Sequence, residues 1–421
     1  MKHYLFFWLA LTACLMLVMG AINFVVDPYG IFYVVDKVGF NSVKPAAGGH
    51  GATGKYYRVM GVQPRGVILG NSRAEVGFDP LSAAWPEKAR PVFNLALPGT
   101  GPRSSLESLQ HVLNDAQEGH AVKPEVVVWG IDFMNFLDNI HEPGQSPPKN
   151  NRLLASSFGS EFPIHFPRQI KDYADATFSF DAFVDSIRTI ASQSDPYVEN
   201  LTAFGFNPMH DYIKISADEG YWAVFRQRDI ENVKAYLRRS TNLYDGAGNS
   251  SPDLDNLRAV IRLCRQHGIE LHLVIYPYHA HLLEIFRITG HWPAFEAWKR
   301  EVVRIVASES SQNKDNTVSL WDFSQFNELT EEAVPAKADR KSKMHWYWEA
   351  GHFKKELGEL VLDRLFGHQG AREDFGVLLN KQNLEAHLAI ERVREADYRR
   401  RYSADVEQLQ KIDMEILSRK H

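Results

Sequence analysis

Residues 4–26 (YLFFWLALTACLMLVMGAINFVV) contain no charged side chain, in a chain where 24% of all residues are charged. As a helix, that run is long enough to cross a hydrocarbon core of roughly 30 Å. Lys2 and His3 precede it, and Asp27 and Pro28 close it. The short basic flank points the N-terminus toward the cytoplasm and everything after Asp27 outward, into the periplasm of a Gram-negative cell. A cleaved signal peptide has a shorter apolar core and an A-x-A-like site, which the segment lacks. Leu11-Thr12-Ala13-Cys14 mimics a lipoprotein cleavage box, but the residues after Cys14 stay largely apolar. Residues 1–26 are therefore expected to be an uncleaved signal anchor. The chain is expected to be single-pass in a bacterial inner membrane, touching the bilayer through residues 4–26.

The whole chain has 421 residues, enough for two or three domains or for one α/β domain with a large insertion. A net charge of −5 without a long basic run gives no footprint for nucleic acid. Cys14 and Cys264 are the only cysteines, which excludes a disulfide framework or a cysteine-rich zinc module. From residue 65, short apolar runs (67–69, 92–97, 126–129, 271–276, 318–321) alternate with helix-like stretches (104–117, 253–267, 294–307, 349–366). That alternation predicts an α/β fold, three layers α/β/α around a mostly parallel sheet. Ligands of such sheets bind beyond the carboxyl ends of the strands. Two segments, 65–139 and 251–366, carry this pattern. Between them, residues 140–250 open with Pro143, Pro147 and Pro148, end in a turn-rich stretch from Asp245, and are expected to form an inserted cap. Residues 27–64, rich in Gly and Pro, are expected to be an irregular juxtamembrane collar. Within them Gly49-His50-Gly51-Ala52-Thr53-Gly54-Lys55 mimics a phosphate loop but is followed by Tyr56, not Ser or Thr. Residues 367–421 are highly charged, with apolar positions at Leu384, Leu388, Val393 and Leu409, the pattern of an amphipathic helical tail.

The residues just past each strand carry the chemistry. Ser72, after the first run, follows a glycine-containing bend, where a serine can stand above the sheet with its N–H free; plain turn chemistry gives the same residues. A nucleophile needs a base held by a third group, and Glu349 with His352, three apart at an expected helix start, offer one. The same stretch read as a longer helix puts His345, Glu349 and His352 at metal-ligand spacing. His279 and His281 follow the fourth run and are candidates for substrate contact. Trp292, Trp298 and the aromatic run 346–348 suit stacking on sugar rings, although tryptophans also build cores.

Taken in order, Gly70-Asn71-Ser72-Arg73, then Asn94-Leu95-Ala96-Leu97-Pro98-Gly99, then Gly130-Ile131-Asp132, and finally Glu349 with His352 resemble the four blocks of the SGNH (GDSL-type) hydrolase superfamily. The resemblance covers roughly residues 65–138 and 251–366. It implies Ser72 as nucleophile, His352 as general base, Glu349 as its orienting acid, and the N–H groups of Ser72 and Gly99 as an oxyanion site. With the anchor, the blocks look most like the cell-envelope branch, related to alginate O-acetylation and teichoic-acid D-alanylation proteins. That branch implies an esterase or O-acyltransferase on a cell-surface polysaccharide, needing neither cofactor nor metal and served by a membrane acyl-transfer partner. Two positions depart from the pattern. Glu349 stands where Asp is commoner. Asp132 stands where the family supplies an Asn donor, and a carboxylate only accepts hydrogen bonds. Either Asp132 orients Arg73, or Asn135 or Asn71 donates, or the chain is an inactive scaffold or glycan-binding part of an export complex. A lipid esterase would instead need an apolar groove under the cap.

Overall fold

The computed structural model describes residues 1–119, 121–138, 166–244, 248, 251–310 and 318–418. Its strands are β1 (Gly66–Leu69), β2 (Val92–Asn94), β3 (Val126–Ile131), β4 (Glu270–Ile275), β5 (Val318–Asp322), β6 (Tyr347–Glu349), β7 (His352–Phe353) and β8 (Val377–Leu378). The first helices are α1 (Lys2–Val26), α2 (Gly51–Val62), α3 (Ser72–Gly77), α4 (Pro102–Gln117), α5 (Phe166–Phe178), α6 (Phe180–Ala191) and α7 (His210–Glu219). They are followed by α8 (Tyr221–Tyr236), α9 (Pro252–Gln266), α10 (Ala280–Ile288), α11 (Trp292–Ser310), α12 (Lys355–Phe366), α13 (Leu384–Arg401) and α14 (Ser403–Ser418).

Six strands form one sheet in the order β2-β1-β3-β4-β5-β8, the first five parallel and β8 antiparallel to β5. Val67 lies between Phe93 and Val127, Val127 pairs with Leu271, and Leu271 with Val318. Every residue of β1 and β3 is buried. Helices cover both faces of such a sheet, so its strands are continuous apolar runs rather than alternating ones. Helices α4, α9 and α11 pack side by side, α3 packs on α12, and α8, α10 and α14 pack together. One contiguous core joins Val67, Val127 and Leu271 to Phe295, Trp298 and Leu409. The strand order reverses between β1 and β3, and the crevice beyond their carboxyl ends is where doubly wound sheets take their ligands.

Two details differ from expectation, a helix in the collar and a short strand in the tail. The collar contains a 12-residue helix, α2, in spite of its glycines. Gly54 permits it: a Cβ there would lie 2.9 Å from the Tyr29 carbonyl oxygen, so close backbone packing overrides the helix penalty of glycine. Lys55, the lysine of the phosphate-loop mimic, is buried and bonds Glu75 at 2.7 Å and the Ala96 carbonyl at 2.6 Å, which commits it to the fold. The tail is part of the core, since Leu384, Leu388 and Leu409 are buried and His387 Nε2 lies 2.8 Å from the buried Asp322 carboxylate; Val393 faces outward. Its stretch 377–378 adds β8, two residues too short to stand out as an apolar run.

α1 is long and apolar enough to cross a membrane. Its last turns are held by the chain around them. Asp27 ends the helix with φ 51°, and its carboxylate accepts the N–H groups of Ile31, Phe32 and Tyr33. The buried Lys44 ammonium donates to the carbonyls of Val26 and Asp27, a cation at the negative end of the helix. Asn23 Nδ2 donates to the carbonyls of Thr177 (2.9 Å) and Ser179 (3.2 Å), and Ser186 donates to Asn23 Oδ1 (3.0 Å). Residues 166–244, the described part of the expected insertion, thus contribute a helical pair, α5 and α6, to the base of α1. Pro143, Pro147, Pro148 and most of the turn from Asp245 lie outside the described residues.

Candidate active site

β1 ends at Leu69, and Gly70 directly after it has a φ of +141°. A Cβ there would lie 2.5 Å from the Tyr276 hydroxyl and 3.0 Å from the Gly130 carbonyl, so the bend admits only glycine. Asn71 then caps α3. Its side-chain oxygen accepts the Arg73 N–H, and its carbonyl accepts those of Ala74 and Glu75, each at 3.1 Å. The N–H of Ser72 is the one first-turn donor left without an acceptor among the described residues. Ser72 is half-buried between the buried Asn71 and Arg73, and its hydroxyl is the group this turn presents.

The partner comes from 280 positions away. His352 Nε2 lies 2.7 Å from Ser72 Oγ. His352 Nδ1 is hydrogen-bonded to the buried Glu349 carboxylate, whose other oxygen accepts the Gly351 N–H at 2.7 Å. The stretch is not the helix start expected above. β6 and β7 form a tight antiparallel hairpin in which Glu349 pairs with His352, and the helix begins only at Lys355. The aromatic run 346–348 favours a pleated strand, and Ala350 and Gly351 turn it. The helical spacing that suggested a metal site therefore does not exist. Gly77 decides how closely the two halves approach: a Cβ there would lie 2.1 Å from the Phe353 ring, so only glycine lets β7 rest on α3.

Burial works against ionisation of Glu349, but adjacent His352, the Gly351 N–H and Arg228 outweigh it and hold the carboxyl at about 2. Glu349 is thus an anion at neutral pH and only accepts. The proton on His352 then sits on Nδ1, and Nε2 is left as acceptor for the serine hydroxyl. The arrangement can deprotonate Ser72 as its oxygen attacks a carbonyl.

Asp132, past β3, points away from that role. Its carboxylate accepts from Asn71 Nδ2 (2.9 Å), from the Tyr278 hydroxyl (2.9 Å) and from Arg73 Nη1 in a buried ion pair. Burial alone would lower the pKa of Arg73, but Asp132, then Tyr236, Tyr278 and Glu349, together outweigh burial and the net direction is upward. Asp132 is therefore neutralised by Arg73, one of the arrangements anticipated above, and Asn71 is spent on capping and on Asp132. Asn135 Nδ2 donates to the Thr100 carbonyl and so steadies the 97–101 loop. That loop is tied to β1 by the Leu97 N–H to Gly70 carbonyl bond at 3.0 Å, and it turns at Gly99, φ +72°. Gly99 is exposed, and its N–H also has no acceptor among the described residues.

His279 and His281 do not face this edge. Both are buried: His279 Nε2 lies 2.9 Å from the Glu332 carbonyl, and His281 Nδ1 lies 3.0 Å from Asp229. Burial first, then His281 beside it, pushes His279 down to about 3. Their neighbours Tyr276 and Tyr278 are the residues that sequence reasoning passed over. Tyr276 packs against Gly130 and takes the Asn71 N–H at 3.4 Å, and Tyr278 holds Asp132. Trp292 and Trp298 are core. Trp348 instead lines a cleft of about 770 Å³, together with Val76 of α3 and residues 340–345 and 354–356. Of its cations, Arg340, Lys341, Lys343 and Lys355 have no ion-pair partner within 4.0 Å among the described residues. Lys354 lies 4.5 Å above the Trp348 ring.

No protein-family profile, curated protein or solved structure matches this chain.

Proposed function

We propose that this chain is a membrane-anchored, extracytoplasmic acyl-ester enzyme of SGNH-like architecture, an esterase or O-acyltransferase acting on a cell-surface polysaccharide. The observation that carries this reading is the continuous relay from Glu349 through His352 to Ser72, 2.7 Å at its last step, at the edge where the sheet's order reverses. Ser72 Oγ attacks the acyl carbonyl while His352 Nε2 takes its proton. The oxygen that becomes negative accepts the N–H groups of Ser72 and Gly99. His352 returns the proton to the leaving sugar oxygen, which leaves an acyl-serine. Water or a second sugar hydroxyl, deprotonated by His352, then removes the acyl group. Arg73 and Asp132 brace the turn that presents Ser72.

The cleft beside α3 supports a polar substrate. Its cations without an ion-pair partner among the described residues, together with the Trp348 ring, suit an acidic sugar chain. Residues 166–244 act as a cap on this reading, since Tyr221 and His210 contribute to the cleft wall. The acyl donor reaches the site through a membrane partner, an inference by analogy with the resembling branch. The reading of an inactive scaffold rested on Asp132, whose charge Arg73 balances.

The test uses the full chain in detergent micelles, with wild type and Ser72→Ala treated alike with a fluorophosphonate probe and an acetylated sugar ester. Wild type is expected to take the label and release acetate, and Ser72→Ala to do neither. Equal behaviour of the two proteins sinks the mechanism. A folded wild type that takes no label but is retained on acidic glycans supports the scaffold instead.

A further inference from the structure

Helices α5 and α6 are built inside out. On α6 the buried positions are small or polar: Ala182, Ser186 and Thr189, all 0% exposed. Its large apolar side chains point outward, Phe180 at 69% exposed, Val184 at 48% and Ile187 at 54%, spaced i, i+4, i+7 along one stripe. α5 repeats the pattern, with Ala176 buried and Ile170 and Phe178 exposed. A surface helix of a water-soluble domain does the opposite, turning its apolar stripe to the core.

The position of the pair explains the inversion. Both helices pack on the last turns of α1, where Phe178 lies so close to Gly20 that a Cβ there would come within 2.7 Å of its ring. Asn23 is bonded to Thr177, Ser179 and Ser186. At 1.5 Å per residue, a hydrocarbon core of roughly 30 Å beginning at Tyr4 ends about 20 residues later, close to Asn23. The helical pair is thus fixed at the depth where hydrocarbon gives way to headgroups.

We infer that the α5–α6 pair is a second membrane contact, lying in the outer headgroup region with Phe180, Val184 and Ile187 inserted among the acyl chains. The inference rests on α1 spanning the bilayer. Small residues against α1 allow close helix packing, as helices in lipid require, and the apolar stripe is then removed from water by lipid. Two contacts instead of one prevent the outer domain from turning freely on a single helix and hold it at one attitude to the membrane.

The test is depth-dependent quenching on the full chain in phospholipid nanodiscs. Cys14→Ser leaves only the buried Cys264, and single cysteines replace Phe180, Ile187, Leu17 or Lys381 to carry an environment-sensitive fluorophore. Probes at 180 and 187 are expected to emit further to the blue than that at 381, to lose fluorescence to nitroxide-bearing lipids and to resist iodide. If the probe at 17 is quenched by lipid nitroxides while those at 180 and 187 behave like 381, the anchor stands and the second contact is overturned. A probe at 17 that is open to iodide overturns the anchor and the inference with it. Shielding of 180 and 187 from both quenchers marks a protein cover, such as a second copy, and equally overturns it.

Discussion

Changing Asp132 to asparagine separates a bracing role from a role in oxyanion binding. The Arg73 and Asp132 side chains are 10% and 5% exposed, and the carboxylate receives three donors: Asn71 Nδ2, Arg73 Nη1 and the Tyr278 hydroxyl. Asparagine keeps the shape and, with its oxygen toward Asn71 and Arg73, turns its amide N–H to the Tyr278 hydroxyl, which must then accept instead of donate, and Arg73 stays charged without its anion. Removing one partner of a buried pair costs about 3–5 kcal/mol. The retained oxygen puts the expected loss near the low end, about 3 kcal/mol. The assay is denaturant unfolding of the full chain in detergent, followed by tryptophan fluorescence, with the fluorophosphonate labelling rate measured in parallel. Stability is expected to fall and labelling to slow. A second substitution, Arg73→Met, should recover part of the stability, because the coupled pair costs less to remove together than the two single changes add up to. If Asp132→Asn leaves stability unchanged and speeds labelling by about a hundredfold or more, the magnitude of a restored oxyanion donor, the bracing role is refuted.

His352→Ala is expected to slow labelling and acetate release by about a hundred- to ten-thousandfold, the range for a lost general base. A smaller loss would mean another group deprotonates Ser72. Glu349 is held at about 2 against an ordinary 4.5. Its contribution to stability is present above pH 4.5 and is lost as the pH falls from there toward 2. Across that window wild type should lose stability more steeply than Glu349→Gln, and parallel acid profiles would contradict the assignment. Gly77→Ala forces a methyl against the Phe353 ring and should cost about 1–3 kcal/mol. Because β7 must move off α3, labelling should also slow, and a variant that loses neither stability nor reactivity would show that the contact does not set the distance between Ser72 and His352.

Much of the fold was legible because its signals are local. The five parallel strands sit within a few residues of the apolar runs, since a strand covered on both faces leaves a continuous hydrophobic stretch. Helices α4 and α9 carry ordinary start signals, Pro102 and Pro252 in the first turns and Ser251 as a cap. α2 was hidden by its glycines, whose purpose is a close approach to a backbone some 25 positions earlier. The hairpin bearing Glu349 and His352 was hidden too, because a three-residue spacing fits a helix face and a tight turn equally well. Tyr276 and Tyr278 carried no signal apart from their place after a strand.

The candidate site divides the same way. That a serine, a glycine loop and an aspartate each follow a strand is a property of the chain's order, and so is the uncharged run that begins it. Each is encoded by neighbours along the sequence. Whether Ser72 meets a base depends on residues 280 positions apart, and on Gly77 being small enough for β7 to close on α3. Whether Asp132 opposes or supports a developing negative charge depends on Arg73 and Tyr278, which reach it from two other strand ends. Tertiary structure alone decided these points, because charge balance and contact are set by what folding brings within a few ångströms, and spacing along the chain does not carry that distance.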